Sequence, residues 1–457
     1  MPPATQAAPR GEAAPLRAEI SATLALAGPL ALTNLSQIAL TLTDTLFLGH
    51  LSTEALGAAT LGAALFWAAA AALLGLGFGT AAAFARDRGA GRSVGYVARA
   101  SALAGLAAML PLGLVMWEAG ALLRLLGQDA VLADLAQEYL RAMLWGALPF
   151  YGFLVLRGWT AACERPGPAL AVTLLAIAAN ALFDWLLIFG AFGLPGLGIA
   201  GAGIASTLSN LLMFGALAWL VARDPLLGDR RSWAGSWAAG AAALPGLLRL
   251  SLPVVGSLML EVTVFGAAAV VVGLFGAVAI AAHGIALQVA SATFMVPLGI
   301  SQAATARVGL AAGAGERAAA RRAGGVAIAL SAAFMALSAA CLVAFGPALA
   351  GLFLSPGNPG AEETLALATL LLLLAGLFQL GDGVQVSAAG ALRGLADTRV
   401  PMWLAAFGYW AVGLPAGALL AFPLGLGAAG VWLGLVVGLS VVAALMTARW
   451  LWLSGRR

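Results

Sequence analysis

Long apolar runs, each cut short by a charge or by glycine and proline, fill the chain from one end to the other. A run of about 20 apolar residues is long enough to cross the hydrocarbon of a bilayer as a helix. The pattern predicts such helices over 24–49, 55–85, 96–117, 138–162, 168–190, 198–222, 250–273, 278–306, 323–345, 363–391, 401–421 and 427–450, twelve in all, with ends set to within a few residues. Polar positions inside these runs are few, and they recur at helical spacing. Thr33, Gln37, Thr41 and Asp44 make one stripe on the first span. Asn180 and Asp184 stand one turn apart on the fifth. Ser257 and Glu261 do the same on the seventh, with Phe265 one turn further. Gln379, Asp382 and Gln385 share a face of the tenth, beside Phe378.

Composition agrees with the pattern. Hydrophobic residues make up 62% of the chain and charged residues 9%, against about 25% charged in soluble domains. Such a chain cannot cover itself with polar surface, so the expected class is an all-α membrane protein with lipid as part of its solvent. The net charge of +4 is no nucleic-acid signal, since every basic residue is arginine and what matters is where the arginines lie. Residues 86–99, 223–249, 307–322, 393–399 and 449–457 carry most of them, with Arg157 late in the fourth span and Arg165 just after it. All these fall on the side of the N-terminal tail with Arg10 and Arg17; the opposite side holds Arg124 and Arg141. The positive-inside rule therefore predicts a multi-pass membrane protein with both termini cytoplasmic. Residues 1–20 have no apolar signal-peptide core and read as a disordered tail. Cys163 and Cys341 are the only cysteines, too few for a disulfide framework or a thiolate metal site.

The halves resemble each other. Pro29 opens the first span and Pro253 the seventh; at the same offset Gly49 falls on Gly273 and Ala55–Ala58 on Ala279–Ala282. Arg86 after Ala85 answers Arg307 after Ala306, and Gly196–Gly201 answers Gly425–Gly430. An even number of spans per half leaves the halves parallel. The expected architecture is two pseudo-symmetric six-helix lobes around a central cavity: an N-lobe over 21–222, a cytoplasmic linker over 223–249 and a C-lobe with a short basic terminus over 250–457.

Four carboxylates lie within spans: Asp44, Asp184, Glu261 and Asp382. Each costs about 2.5–3.5 kcal/mol near a helix centre, so four facing lipid would cost about 10–14 kcal/mol. They should face water or each other, one ionisable centre per lobe. The plainer alternatives are that an acid near a span end, as Asp44 is, reaches the headgroups, or that an acid or amide such as Asn180 only joins helices. His283, in an apolar helix, reads as a hydrogen-bonded structural histidine before a proton relay. Gln37, Thr41, Ser257, Phe265, Phe378, Gln379, Gln385 and His283 are the candidates to line the cavity beside the acids.

Motifs for soluble chemistry are missing: no phosphate loop, since there is no lysine, no HExxH and no Cys/His cluster. The residues do resemble a known family. Ala281–Ala286 with His283, then Phe294–Ser301, then Arg307-Val308-Gly309, resemble the multidrug and toxin extrusion (MATE) family; so do Gln379–Asp382 followed by Gly390–Thr398, and Thr43-Asp44-Thr45 with Gly49-His50-Leu51. The resemblance covers nearly the whole chain. Glu261 and Asp382 match the C-lobe carboxylates of the NorM-like branch, Asp44 the N-lobe acid shared by bacterial members, and Asn180 with Asp184 an N-lobe pair best known from the DinF-like branch, where NorM-like chains are expected to carry an amide in place of Asp184. The resemblance implies a secondary antiporter, not an enzyme, that exports organic, often cationic and amphipathic compounds against Na⁺ or H⁺, with no cofactor. Possible Na⁺ sites are Asp44, Asn180 and Asp184 or Glu261 and Asp382. Its partners are small organic molecules and membrane lipid, not nucleic acid, and it acts as a monomer. Two rivals remain: a lipid-linked glycan flippase of the same superfamily, which needs an arginine-rich cavity that these spans lack, and a membrane-embedded transferase, which needs paired acidic metal motifs near one membrane face.

Overall fold

A computed structural model of the protein describes residues 16–190, 195–355 and 360–456. Among these, every regular element is a helix, as a chain in lipid requires, because only a helix or a closed barrel satisfies its backbone without water. The spanning helices are α1 (Leu16–Leu51), α2 (Thr53–Gly89), α3 (Gly95–Trp117), α4 (Ala130–Ala162), α5 (Gly167–Ile188), α6 (Gly198–Arg223), α7 (Trp237–Gly273), α8 (Ala277–Gly313), α9 (Arg317–Gly351), α10 (Ala361–Gly394), α11 (Arg399–Ala421) and α12 (Gly427–Arg456). A one-turn π segment at Phe407–Gly413 lies inside α11 and lets Gly413 meet Gly438 of α12 backbone to backbone.

Several helices run beyond their apolar stretch, and each extension has a local cause. Residues 16–20, expected in the tail, form the first turns of α1, because buried Glu19 finds a partner in Arg307; residues 1–15 lie outside the described residues. Residues 237–249, expected in the linker, open α7 behind the capping hydroxyl of Ser236, which accepts from the Ala239 amide at 3.1 Å. The rest of that connection is folded onto the first lobe: the indoles of Trp159 and Trp233 both donate to the Leu227 carbonyl, at 2.9 and 2.8 Å. The segment before α4 holds a short helix, Ala119–Leu125, and α4 begins at Ala130 behind the Asp129 cap.

The lobes pack alike. In the first, α2 packs on α4, α4 on α6, α6 on α5 and α5 on α1; in the second, α8 packs on α10, α10 on α12, α12 on α11 and α11 on α7. Local details repeat too. Thr33 and Ser257 each donate to the carbonyl of the proline four residues earlier, at 2.8 and 3.0 Å. Left-handed caps close α2 at Gly91 and α8 at Gly315, and α4 at Glu164 and α10 at Ala396. The caps correct one sequence match: the Ala90 amide bonds Arg86 and the Ala314 amide bonds Leu310, so Arg86 corresponds to Leu310 and not to Arg307. Two arginines near the ends of equivalent spans had suggested a register three residues out.

The lobes meet along a seam with the same symmetry. A Cβ on Gly75 would lie 2.7 Å from the Val255 Cα, and one on Gly299 would lie 2.8 Å from the Ala31 Cα. Gly89 faces the Leu310 carbonyl and Gly313 the Arg86 carbonyl in the same reciprocal way. Glycine is required here because the backbones themselves touch. All of these contacts lie in the half of the bundle that carries both chain ends. Arg307 adds a tie across the same half, pairing with Glu19 at 2.8 Å and Glu164 at 2.6 Å, both of the first lobe.

The seam makes a prediction. Gly299→Val should force α8 away from α1, so that spin labels at positions 17 and 317 give a longer distance by pulsed electron resonance, by several ångströms. Gly284→Val, at a glycine with nothing within 4 Å, should leave that distance unchanged.

Candidate functional site

Between the lobes lies a cavity of about 560 Å³. On the first lobe its wall is Asn34, Gln37 and Thr41 of α1, Trp67 and Phe78 of α2, and Arg157 of α4. On the second it is Ser257 and Glu261 of α7, Gln288 and Gln302 of α8, Gln385 and Arg393 of α10, and Tyr409 of α11. The α1 and α7 contributions follow from the polar spacing of those helices: residues three and four apart stack on one face. Five sequence candidates stand on this wall: Gln37, Thr41, Ser257, Glu261 and Gln385.

Others do not. Asp382 is buried one layer behind, within electrostatic reach of Glu261. Tyr409 senses both carboxylates and donates to Gln385 Oε1 at 2.6 Å. Phe378 is packed inside the second lobe, edge-on to Phe265 and to Trp432, each at 5.8 Å between centroids. His283 Nδ1 accepts from the Trp432 indole at 3.1 Å, which puts any ring proton on Nε2. Gln379 is fully buried, its Oε1 accepting from Ser338 at 2.8 Å and its Nε2 donating to Thr293 at 2.6 Å. As cavity-lining residues, Phe265, Phe378, Gln379 and His283 are therefore corrected. On α10 the side that carries Phe378 and Gln379 turns into the lobe core, because that helix is packed by α8, α9 and α12.

A second, smaller cavity of about 60 Å³ lies within the first lobe, bounded by Gln37, Thr41, Asp44, Asn180 and Ser206 among others. Asp44 Oδ2 accepts from the Ser206 hydroxyl at 2.7 Å, and the Asp44 carboxyl also meets Asn180 and Asp184. Asp44 Oδ1, Asn180 Oδ1 and both oxygens of Asp184 are buried with no donor among the described residues. The structure thus brings Asp44, Asn180 and Asp184 together. Buried oxygens without donors are costly unless a proton or a cation joins them. A set of carboxylate, amide and hydroxyl oxygens suits a hard cation such as Na⁺ and no soft metal. Thr33, on the same stripe, is buried with its hydroxyl on the Pro29 carbonyl and takes no part.

Sequence reasoning missed several wall residues. Arg157 and Arg393 are inside the bundle, 4% and 9% exposed, and both line the central cavity. The cavity, expected to lack the arginine richness that a glycan flippase needs, carries these two on its wall. α4 and α10 continue to Ala162 and Gly394, so residues read as span ends still face inward. Asn34 and Gln302 bond each other across the seam at 3.4 Å. Ser206, Ser209 and Asn210 form a polar stripe on α6 that spacing alone could have found.

The MatE family profile matches residues 29–186 and 253–419, two segments that begin at the paired prolines. The chain belongs to the MATE family. It is 44% identical over 439 residues to "Probable multidrug resistance protein NorM" of Mesorhizobium japonicum, covering 95% of this chain and 94% of the relative. Against the protein of the same name from Pseudomonas aeruginosa it is 37% identical over 444 residues, 97% of this chain and 91% of the relative. Two solved MATE structures share the fold: eukaryotic MATE transporter AtDTX14, with a TM-score of 0.86 at 20% identity over 96% of this chain and 98% of that one, and Vibrio cholerae MATE transporter VcmN in the bent form, with 0.84 at 21% over 96% and 98%. MATE membership agrees with the two-lobe packing and with the central cavity.

The burial of Gln379 makes a prediction. Gln379→Leu removes two buried hydrogen bonds and should cost about 2 kcal/mol, seen as a melting temperature several degrees lower in detergent. Binding of a dye in the central cavity should change less than threefold, because Gln379 does not reach that wall.

Proposed function

We propose that this MATE protein is a secondary active efflux antiporter, exporting organic, often cationic and amphipathic compounds in exchange for Na⁺ or H⁺. One observation carries the reading: the 560 Å³ cavity between two lobes whose closest contacts lie at one end, with aromatic walls and the Glu261 carboxylate on its face. Such a site suits a flat apolar cation, which gains burial against Trp67 and Phe294 and a counter-charge from Glu261. The names of the relatives agree with it.

The arginine-rich connections lie on the face of the chain ends, so the positive-inside rule supports an inner-membrane protein with both termini cytoplasmic. On that orientation the closed seam is cytoplasmic and the cavity faces outward. A carboxylate that holds a cationic drug cannot at the same time hold the coupling ion at full strength. Proton or Na⁺ binding removes the negative charge, weakens the drug and favours the alternative arrangement of lobes. Each elementary charge moved inward gains about 2.3 kcal/mol per 100 mV. The Glu261–Asp382 pair and the Asp44–Asn180–Asp184 cluster are the two candidate coupling sites.

Dye efflux from proteoliposomes under an imposed Na⁺ or pH gradient tests the reading. Uphill efflux driven by one gradient is expected; dye that only equilibrates, with no response to either gradient, would sink it. Glu261→Gln and Asp382→Asn should each reduce driven efflux at least tenfold with expression retained. Asp44→Asn and Asp184→Asn should both weaken cation binding by calorimetry at least tenfold. Unchanged affinity in Asp184→Asn would reduce that cluster to Asp44 alone. For topology, a cysteine at position 128 in a cysteine-free background should react with an impermeant reagent on intact cells, and one at position 231 should not.

A further inference from the structure

The ion pairs of Arg307 break the symmetry of the seam. On one side Arg307 of α8 holds Glu19 of α1 and Glu164 at the left-handed cap of α4. The offset that pairs Gly75 with Gly299 and Ala31 with Val255 carries Arg307 onto Ala83 and Glu19 onto Ala243. The matching caps carry Glu164 onto Ala396. All three alanines line one cavity of about 640 Å³, bounded by α2 and α3, the start of α7 and the turn into α11. Three short side chains therefore stand where the opposite side of the seam has one cation and two anions.

The charge on this cavity is one-sided. Arg86 of α2, Arg249 of α7 and Arg399 of α11 line it, and among the described residues none of the three has an ion pair. Two carboxylates line it as well, but each already has a cation. Asp87 pairs with Arg92 at 2.5 Å and accepts from the Tyr96 hydroxyl; Asp397 pairs with Arg449 at 2.8 Å. Asp397 and Thr398 also border the central cavity, but the three arginines do not. Arg86 belongs to the first lobe, and Arg249 and Arg399 to the second. Arg399 opens its span and Arg86 lies one turn before the end of α2, so the cavity sits near headgroup depth. Behind the arginines the wall is apolar, with Val97, Leu247 and Leu250.

We infer that this cavity binds a phosphate group, and that the bound phosphate bridges the lobes here as Glu19 and Glu164 bridge to Arg307 on the other side. Guanidiniums recognise phosphate through charge-assisted, often paired hydrogen bonds, and arginines of both lobes border the one space. The volume exceeds that of a bare phosphate. The apolar wall at headgroup depth suits the glycerol and first methylenes of an anionic phospholipid, as basic pockets between spanning helices do. A ligand that touches both lobes favours the arrangement in which this half of the bundle is closed.

Calorimetry on the purified full chain in a neutral detergent tests the site, with short-chain lipids as probes. Dihexanoylphosphatidylglycerol should bind saturably, and the zwitterionic dihexanoylphosphatidylcholine about tenfold more weakly. Arg86→Gln, Arg249→Gln and Arg399→Gln should each weaken the anionic lipid about tenfold or more. Arg249 and Arg399 are exposed, so their replacement leaves the fold intact. Ala243→Glu acts in the opposite sense: it puts a carboxylate at the place equivalent to Glu19, which should pair with the arginines, abolish binding and raise the melting temperature. Inorganic phosphate and glycerol 3-phosphate separate the sources. Silence from both assigns the lipid headgroup; binding of either that is lost in the same variants assigns a soluble phosphate to the same site. Equal affinity for the two lipids, binding unchanged in all three arginine variants, or no binding of any probe would overturn the site. Loss confined to the arginines of one lobe would overturn the bridge.

Discussion

No charge inside this bundle can be left without a counter-charge, a hydrogen-bond partner or water, and most of the architecture follows from that cost. It makes α1 start early, since Glu19 is tolerated in the interior only against Arg307. It puts Glu261 on a cavity wall instead of on lipid. It brings Asp44, on a small cavity of the first lobe, against Asn180 and Asp184, where oxygens of all three are buried without a donor among the described residues. Apolar area alone would permit many packings of twelve helices. The charged side chains choose among them, because each packing must bring every buried charge to something that stabilises it.

Against this selective chemistry stands a symmetric frame. The glycine contacts at the seam come in reciprocal pairs: Gly75 on Val255 and Gly299 on Ala31, Gly89 on Leu310 and Gly313 on Arg86. At the same offset Thr33 matches Ser257, and both spend their hydroxyls on a proline carbonyl. The next position on that stripe breaks the symmetry, with Gln37 in one lobe and Glu261 in the other, both on the same cavity. Asp44 has Ala268 as its counterpart and Arg307 has Ala83. The backbone repeats where lobes must fit each other; the ionisable groups do not, and so each lobe carries a different centre.

The sequence was most legible where one physical term dominates. Hydropathy alone located twelve spans, because lipid penalises every alternative. The cost of buried carboxylates singled out Asp44, Asp184, Glu261 and Asp382. What could not be read was direction within a helix of nearly uniform apolarity. Gln379 and Asp382 are three residues apart on α10, yet Gln379 bridges Ser338 and Thr293 in the lobe core, and only the arrangement of α8, α9 and α12 around α10 decides this. Arg157 and Arg393 were misread for a related reason. Arginine near a span end ordinarily extends to the headgroups, and nothing local indicates that these two ends are covered by the opposite lobe.

One helix ties the two centres of chemistry together. α1 carries Gln37 and Thr41 on walls of both the central cavity and the small cavity of the first lobe, with Asp44 one turn further. It also carries Ala31 at the seam with α8 and Glu19 at the ion pairs with Arg307. Pro29, within the helix, removes one backbone hydrogen bond and allows a bend at low cost. A change in how Asp44 is held thus acts on a helix already weakened at one point and already in contact with the cargo wall and with the opposite lobe. On the efflux reading, a coupling ion held at Asp44 would need no long relay: that carboxylate, the cavity wall and the seam are successive turns of the same segment of chain.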